Sequence, residues 1–507
     1  MIPRNKVFWI GSGLETSLER EFNRRDLDID THSLKTLPLN SKEAVEIVST
    51  GLGVIFVHNT QKFSRTLAFL QEVTASPVRY SGVRAAIIVE DTSDIKRIIR
   101  KFVGGIDYPD FEEKYNLLFT KLERAGFADF VRYFLLLPAP GRSPNFRLTV
   151  GKVTSLSEEE ITLLQRSFSE YNHLDIRKIT KQGFSANVYF AYPQLTEGAG
   201  RGRPQPFLVK FDKKKKVKEE LAYYKEYVNS HVPFNLRPNF EEDRCFLEGD
   251  KGVLVASYVD RAIPLIEAVE RGTGPGAIHC LFEETMDRWI RNSKIEKGSP
   301  FEALRKRFKR EKFDANRKII AEAKKLGDVP LPDKLLALLA AIPCRNHLYG
   351  TSHGDLHANN VLVKGSDAII IDFSQCTNGP TLVDFATLDV SLAFHSVPPE
   401  DYGKRVKFKK WAQFVSQLYD YEKIVQLPEA RESFELFARQ WTCIRQIRRY
   451  ALMEQRDRLE YAICVCTELL RRSAFADDKN IGASIAGRAY FLCAKLAKEV
   501  ARGVGNS

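Results

Sequence analysis

The chain has 507 residues, 44% of them apolar, which is enough to bury two or three separate cores. No apolar run reaches the roughly 18 residues that a bilayer span needs, and Gly11, Ser12 and Gly13 cut short the apolar residues 7–10 before they can form a secretory leader. A dispersed net charge of +12, a pI near 9.1 and eight cysteines with no Cys-x-x-Cys pair lead to the expectation of a reduced, cytoplasmic protein without a membrane partner that favours acidic ligands, nucleotides included.

In chain order, residues 7–10, 29–32, 54–58 and 85–89 are short apolar or alternating runs, and helical spacing covers 14–24, 41–49, 63–74, 92–102 and 111–125. Strands alternating with helices predict an α/β domain over residues 1–137, built on a doubly wound parallel sheet. Its size and order resemble a bacterial response-regulator receiver with flavodoxin-like topology. The resemblance implies acids after the first strand and a phosphoacceptor aspartate ending the third, yet those places hold Gly11-Ser12-Gly13 and His58-Asn59. The resemblance thus implies a degenerate receiver, expected to dock a protein partner. A dinucleotide site at Gly11-Ser12-Gly13 lacks its third glycine, and a tight strand-to-helix turn accounts for the pair present.

Pro138-Ala139-Pro140-Gly141-Arg142-Ser143-Pro144 marks a linker over residues 138–146. Ser157-Glu158-Glu159-Glu160 then reads as a capping box opening a helix. Strands follow at 175–181, 187–192, 206–211, 244–247 and 252–259, with a helix at 217–228 whose apolar side holds Val217, Leu221, Tyr224 and Val228. These segments predict a five-stranded lobe over 147–261. The lysines at 213–216 read as a solvated turn. Together with the basic residues 305–310 they leave a nucleic-acid-binding regulator as an outside reading. Helical spacing at 264–271, 277–291, 301–308, 314–326 and 333–342 gives an insertion over 262–345, and helices at 407–421, 430–454, 459–473 and 485–501 complete a second lobe around Trp411 and Trp441.

The most informative stretch is His353-Gly354-Asp355-Leu356-His357-Ala358-Asn359-Asn360-Val361-Leu362-Val363, followed by Ile369-Ile370-Ile371-Asp372-Phe373. Residues 361–363 and 368–371 predict two strands of a hairpin that folds Asp372 back beside Asn360. Two hard oxygen ligands from adjacent strand ends suit Mg²⁺, which keeps several waters and takes few protein carboxylates. Phosphoryl transfer asks a protein mainly to place groups and neutralise charge, and Asp355 on its loop is placed to orient a nucleophile and accept its proton.

This segment resembles the catalytic loop and metal-binding acid of the aminoglycoside phosphotransferase and choline kinase group, within the protein-kinase-like fold. The resemblance implies a two-lobed α+β domain over 147–507 that transfers the γ-phosphate of ATP or GTP to a hydroxyl or amine. It assigns Asp355 as base, Asn360 and Asp372 to Mg²⁺, and Lys210 to the α and β phosphates, held by Glu220 or, with a register error of one, Glu219. Gly183, Phe184 and Ser185 become the phosphate-covering turn, and Ala256, Ser257, Tyr258 and Val259 the segment that reads the base. His353 is expected as a packed scaffold histidine bonding its own loop, and Asp384, in Pro380-Thr381-Leu382-Val383-Asp384-Phe385-Ala386, as support for the loop backbone. Phe373-Ser374 departs from Asp-Phe-Gly, which moves the resemblance away from true protein kinases. The acceptor is not legible. A nucleotide-binding pseudokinase is the alternative function, and fusion to an α/β domain suggests a bacterial signalling or defence setting.

Overall fold

The computed structural model describes residues 6–11, 19–20, 28–30, 53–58, 63–75, 84–91, 93–103, 117–121, 146–151, 155–168, 171, 173–178, 188–194, 206–248, 251–257, 262–305, 317–394, 405–429, 437–474 and 482–503. The chain divides into two compact units, one of residues 1–219 with 239–258, the other of residues 220–238 with 259–507.

The first unit opens with β1 (Lys6–Ile10), β2 (Asp28–Asp30), β3 (Gly53–Val57), α1 (Phe63–Ala75), β4 (Arg84–Ile88), α2 (Ser93–Val103) and β5 (Leu117–Thr120). All pairings are parallel, in the order β2-β1-β3-β4-β5. That is the flavodoxin-like order of a doubly wound sheet. The strands read as unbroken apolar runs because both faces are covered: consecutive residues Val7, Phe8, Trp9 and Ile10 are all buried. Phe8, Phe56, Ile87 and Phe119 share one core with Phe69 and Leu70 of α1 and Ile98 of α2. Within the helix expected at 111–125, residues 117–120 instead form β5, which extends the sheet from β4, and residues 111–116 and 122–125 lie outside the described residues. A short apolar run has no period that separates strand from helix, and the open sheet edge decided it. Gly11 has φ 135°, and a Cβ there would sit 2.7 Å from the Val57 Cβ, so close strand approach explains this glycine.

A second sheet follows, of β6 (Arg147–Val150), β7 (His173–Lys178), β8 (Val188–Gln194), β9 (Phe207–Lys213), β10 (Phe246–Glu248) and β11 (Lys251–Ser257), in the order β10-β11-β9-β8-β7-β6. It has six strands where five were expected. Parallel pairing of β6 with β7 adds the extra edge, where alternating half-exposed residues give only a weak signal. Between β6 and β7 lies α3 (Glu158–Ser167), opened by the expected capping box: Glu160 N donates to Ser157 Oγ at 3.3 Å and Ser157 N to Glu160 Oε2 at 2.9 Å. Lys251 Nζ reaches Glu160 at 3.0 Å and ties the helix to β11. After β9 comes α4 (Lys214–Tyr223), prolonged by a π-helical turn over Tyr224–Val228.

The second unit carries β12 (Ile263–Pro264), α5 (Leu265–Arg271), α6 (Gly274–Cys280), α7 (Asp287–Arg291), β13 (Lys294–Lys297), α8 (Pro300–Leu304), α9 (Arg317–Lys324) and α10 (Pro332–Ala340). The helix expected over 277–291 is broken by a π-turn at Leu281–Thr285. The insertion is also not wholly helical, because Lys294-Ile295-Glu296-Lys297 pairs with the following strand. Exposed along its length, this strand is specified by its partner and not by a pattern of its own. The catalytic-type segment then lies on β14 (Asn346–Ser352), β15 (Val361–Lys364), β16 (Asp367–Ile370) and β17 (Thr377–Pro380), in two sheets ordered β12-β15-β16 and β13-β14-β17. Helices α11 (Leu382–Phe394), α12 (Arg405–Leu418), α13 (Tyr421–Val425), α14 (Ala438–Glu454), α15 (Glu460–Ser473) and α16 (Ala483–Gly503) complete the unit. Trp411 and Trp441 are buried there as expected, donating to Ala393 O at 3.0 Å and Pro428 O at 2.8 Å.

Candidate active site

The hairpin forms as the sequence implies. β15 and β16 pair from Val361 with Ile370 to Lys364 with Asp367, and their buried valines, leucine and isoleucines fix which residues end the strands. Ile371 N donates to Asn360 O at 2.9 Å, which sets Asp372 beside Asn360. Asn360 Nδ2 donates to Asp355 O at 2.9 Å, so the amide oxygen faces away from the loop backbone. Asp372 has φ 65°, the one non-glycine left-handed residue among the described residues. Such a conformation costs on the order of 1 kcal/mol and persists where the surroundings impose it.

The loop itself is held from α11. His353 N and Gly354 N donate to the two carboxylate oxygens of Asp384 at 2.7 and 3.0 Å, and Ala358 N donates to Ser391 Oγ at 2.9 Å. Fully buried, Asp384 offsets its desolvation through these charge-assisted bonds. His353 does not bond its own loop: its Nε2 lies 3.0 Å from Ile371 O, linking the loop to the strand end that carries Asp372. The second strand of the hairpin offers it a carbonyl that its own loop does not.

Asp355 sits among groups that the sequence reading did not collect. Arg471 Nη1 on α15 donates to Asp355 Oδ1 at 2.9 Å, and Arg471 Nε donates to Glu468 Oε2 at 2.7 Å. His357 Nε2 lies 3.8 Å from Asp355 Oδ2. Burial, the largest single influence, would raise the pKa of Asp355, but Arg471, His357 and His353 together outweigh it and hold the carboxyl below its usual range. Burial, the largest influence on His357, outweighs the opposing pull of Asp355 and lowers its pKa. The one sequence signal for Arg471 was a Glu-x-x-Arg spacing in an otherwise apolar helix, an ordinary surface pair on most helices.

The remaining candidates are divided between the two units. Lys210 lies half-buried on β9, in register with Val188 and Leu254, in the first unit. Glu220 is 3% exposed and lies in the second unit, whereas Glu219 is on the surface, 3.8 Å from Lys215. Ala256 pairs with Leu208, and the Ser257 N–H is already given to Asn239 O at 2.9 Å. Gly183, Phe184, Ser185, Tyr258 and Val259 lie outside the described residues.

Comparison with known proteins adds a family and a set of distant folds. Residues 241–468 match the family described as Ternary complex associated domain 9. No curated protein matches. Among solved structures, a glucosamine kinase in complex with glucosamine, ADP and inorganic phosphate is 11% identical, over 70% of this chain and 88% of that one, with a TM-score of 0.35. A thermostable aminoglycoside phosphotransferase mutant in a ternary complex with ADP and hygromycin B is 11% identical over 66% and 96%, at 0.34. A choline kinase from Cryptosporidium parvum is 11% identical over 66% and 90%, at 0.32. TM-scores this low fix no shared arrangement, so the chemistry has to come from this chain's own residues. Among the described residues, no helix is long and apolar enough to cross a membrane.

Proposed function

We propose that this chain is a nucleotide-dependent phosphotransferase of the aminoglycoside phosphotransferase-like kind, passing the γ-phosphate of ATP or GTP to a hydroxyl or amine of a small molecule or protein. The hairpin contact that sets Asp372 beside Asn360, within a loop pinned by Asp384, is the observation that carries the reading. One carboxylate and one amide oxygen suit Mg²⁺, which keeps several waters and completes its shell with phosphate oxygens. When bound, that ion would bridge and neutralise the phosphates. Asp355, ionised through Arg471, orients the acceptor and takes its proton as transfer completes. Lys210 would grip the α and β phosphates, with residues 183–185 covering them and residues 256–259 reading the base.

The strand order and the buried His58 in the phosphoacceptor place support a degenerate receiver-like module over 1–137, acting as a docking surface for a protein partner. We extend the description of the matched family to a multi-protein assembly, in the cytoplasm, in bacterial signalling or defence. A second reading, a nucleotide-binding regulator without transfer, is favoured by one observation: Arg471 already occupies an oxygen of Asp355. Incubation with γ-labelled ATP or GTP, first alone and then with cell extract, tests both. Transfer that is lost in Asp355→Ala and in Asp372→Ala supports the enzyme, unchanged turnover in both variants ends it, and Mg²⁺-nucleotide binding without any labelled product selects the regulator.

A further inference from the structure

The β13-β14-β17 sheet of the second unit ends on β13, Lys294-Ile295-Glu296-Lys297, which is exposed along its length and has no strand on its outer side among the described residues. Two observations fix which backbone groups that side presents. Gly298 N donates to Arg345 O at 2.8 Å, and with Lys297 opposite Asn346 this makes 298 and 345 a hydrogen-bonded pair. On β14, Leu348 gives its N–H to Glu460 Oε1 at 2.7 Å and accepts from Thr381 N at 2.9 Å, so its polar backbone is turned away from β13, and that of Ile295 opposite it is turned outward. By the alternation of an antiparallel ladder, Lys294 and Glu296 bond to β14 through their backbone, whereas Ile295 and Lys297 turn N–H and C=O toward the open edge.

Such a row of outward N–H and C=O groups is a template for another strand, and lysines on it ordinarily ward other chains off. Glu296 between the two lysines alters that rule: it admits a strand that sets a cation against Glu296 and an anion against Lys294. β13 itself, read in the antiparallel sense, has that order. We infer that β13 is the contact through which two copies of this chain associate, their strands antiparallel about a two-fold axis at Ile295.

In this register the N–H and C=O of Ile295 exchange hydrogen bonds with those of Ile295 in the second copy, and the two side chains, each 63% exposed in the single chain, cover one another. Lys294 falls opposite Glu296 of the second copy and Glu296 opposite its Lys294, in non-hydrogen-bonded pairs, where side chains approach most closely. Lys297 meets uncharged Ser293, whose carbonyl takes the Lys297 N–H while the Ser293 N–H stays with Ile290 O at 3.1 Å. Moving the axis to residue 294, 296 or 297 sets Lys294, Glu296 or Lys297 against its own copy, and an axis between two residues sets outward groups against inward ones. Like charges directly opposite destabilise a pair, so the axis at Ile295 is the register that remains. The same patch serves both copies, so the contact closes at two. Nothing in it draws on the catalytic loop, and it stands apart from the phosphotransferase reading.

Sedimentation velocity on the full chain over a concentration series tests the contact. One short edge lies at the small end of specific interfaces, so a reversible monomer–dimer equilibrium with a Kd of about 10–100 μM is expected. Lys294→Glu and Glu296→Lys, each at an exposed position outside the catalytic machinery, should each weaken association about tenfold or more while keeping the parent's melting temperature. Mixed in equal amounts, the two variants should associate about as tightly as the parent, because each supplies the charge the other has lost. A parent that stays monomeric throughout, single variants that associate like the parent, or a mixture no tighter than its components would each overturn the assignment.

Discussion

Arg471 reaches across from α15 to donate to Asp355 Oδ1 at 2.9 Å, so the carboxylate expected to meet an acceptor is already paired with a cation. The pair holds Asp355 below its ordinary pKa, against a burial that would raise it. Because a depressed carboxyl stabilises the fold above its unfolded value of about 3.9 and loses that contribution as pH falls through the lower folded value, the pair matters most near neutrality.

Removing the guanidinium reverses this. In Glu468→Gln/Arg471→Met, where Glu468 is not left as a second carboxylate without its cation, burial acts on Asp355 against only the pull of His357 and His353, and its pKa rises. The acid limb of nucleotide turnover should move to higher pH than in the parent. The stability gap between the two proteins should narrow below about pH 4. Turnover profiles and thermal melts across pH measure both, and superimposed acid limbs would show that Arg471 does not control Asp355.

Asp384→Asn should loosen the loop. The carboxylate accepts from His353 N and Gly354 N, and an amide in its place faces one of those donors with its own NH₂. Hydrogen bonds to a charged group contribute about 1.5–3 kcal/mol each, so a loss of roughly 2–4 kcal/mol in denaturant unfolding is expected. Misplacement of the loop by about 1 Å should lower turnover about a hundredfold. Ser391→Ala, which removes the single bond to Ala358 N, should cost less on both measures.

How much of this was legible follows from how local each signal is. Asp355, Asn360 and Asp372 lie within one short stretch, and the apolar strands between them dictate a hairpin, so their grouping could be read directly. The parallel strands at 7–10, 54–58 and 85–89 announced themselves as fully apolar runs for the same reason. Arg471 and Glu468 could not be found, because more than a hundred residues separate them from the loop and only tertiary packing brings α15 to it. β5 and β13 were missed because partners across a sheet specify them, and neither carries a period of its own.

Asp372→Gly separates strain from chemistry. Glycine accepts the left-handed φ of 65° without penalty, so the unliganded fold should be unchanged or more stable by up to about 1 kcal/mol. The carboxylate is gone, however, so the rise in melting temperature that Mg²⁺ with nucleotide gives the parent should disappear. Melts with and without Mg²⁺-ATP check this, and retention of the ligand shift would remove Asp372 from the metal site.

The buried network beneath α11 gives the last prediction. Asp389 accepts from Arg448 Nε at 2.7 Å, Tyr419 OH at 2.9 Å and Tyr461 OH at 2.9 Å, and Arg448 also donates to Leu418 O and Lys423 O. Both charged side chains are almost wholly buried, at 2% and 0% exposure. Arg448→Met strands a carboxylate and two carbonyls away from water, which should cost about 3–5 kcal/mol. Arg448→Met/Asp389→Leu removes both charges and should recover most of that, since the desolvation of an ion pair is returned when neither partner is present. Asp384 and Ser391 ride on the same helix, so the single variant should also lose Mg²⁺-nucleotide affinity, and the double should regain it. Denaturant unfolding with calorimetry decides the matter: a double variant no more stable than the single would mean that packing, and not the buried charge, sets the position of α11.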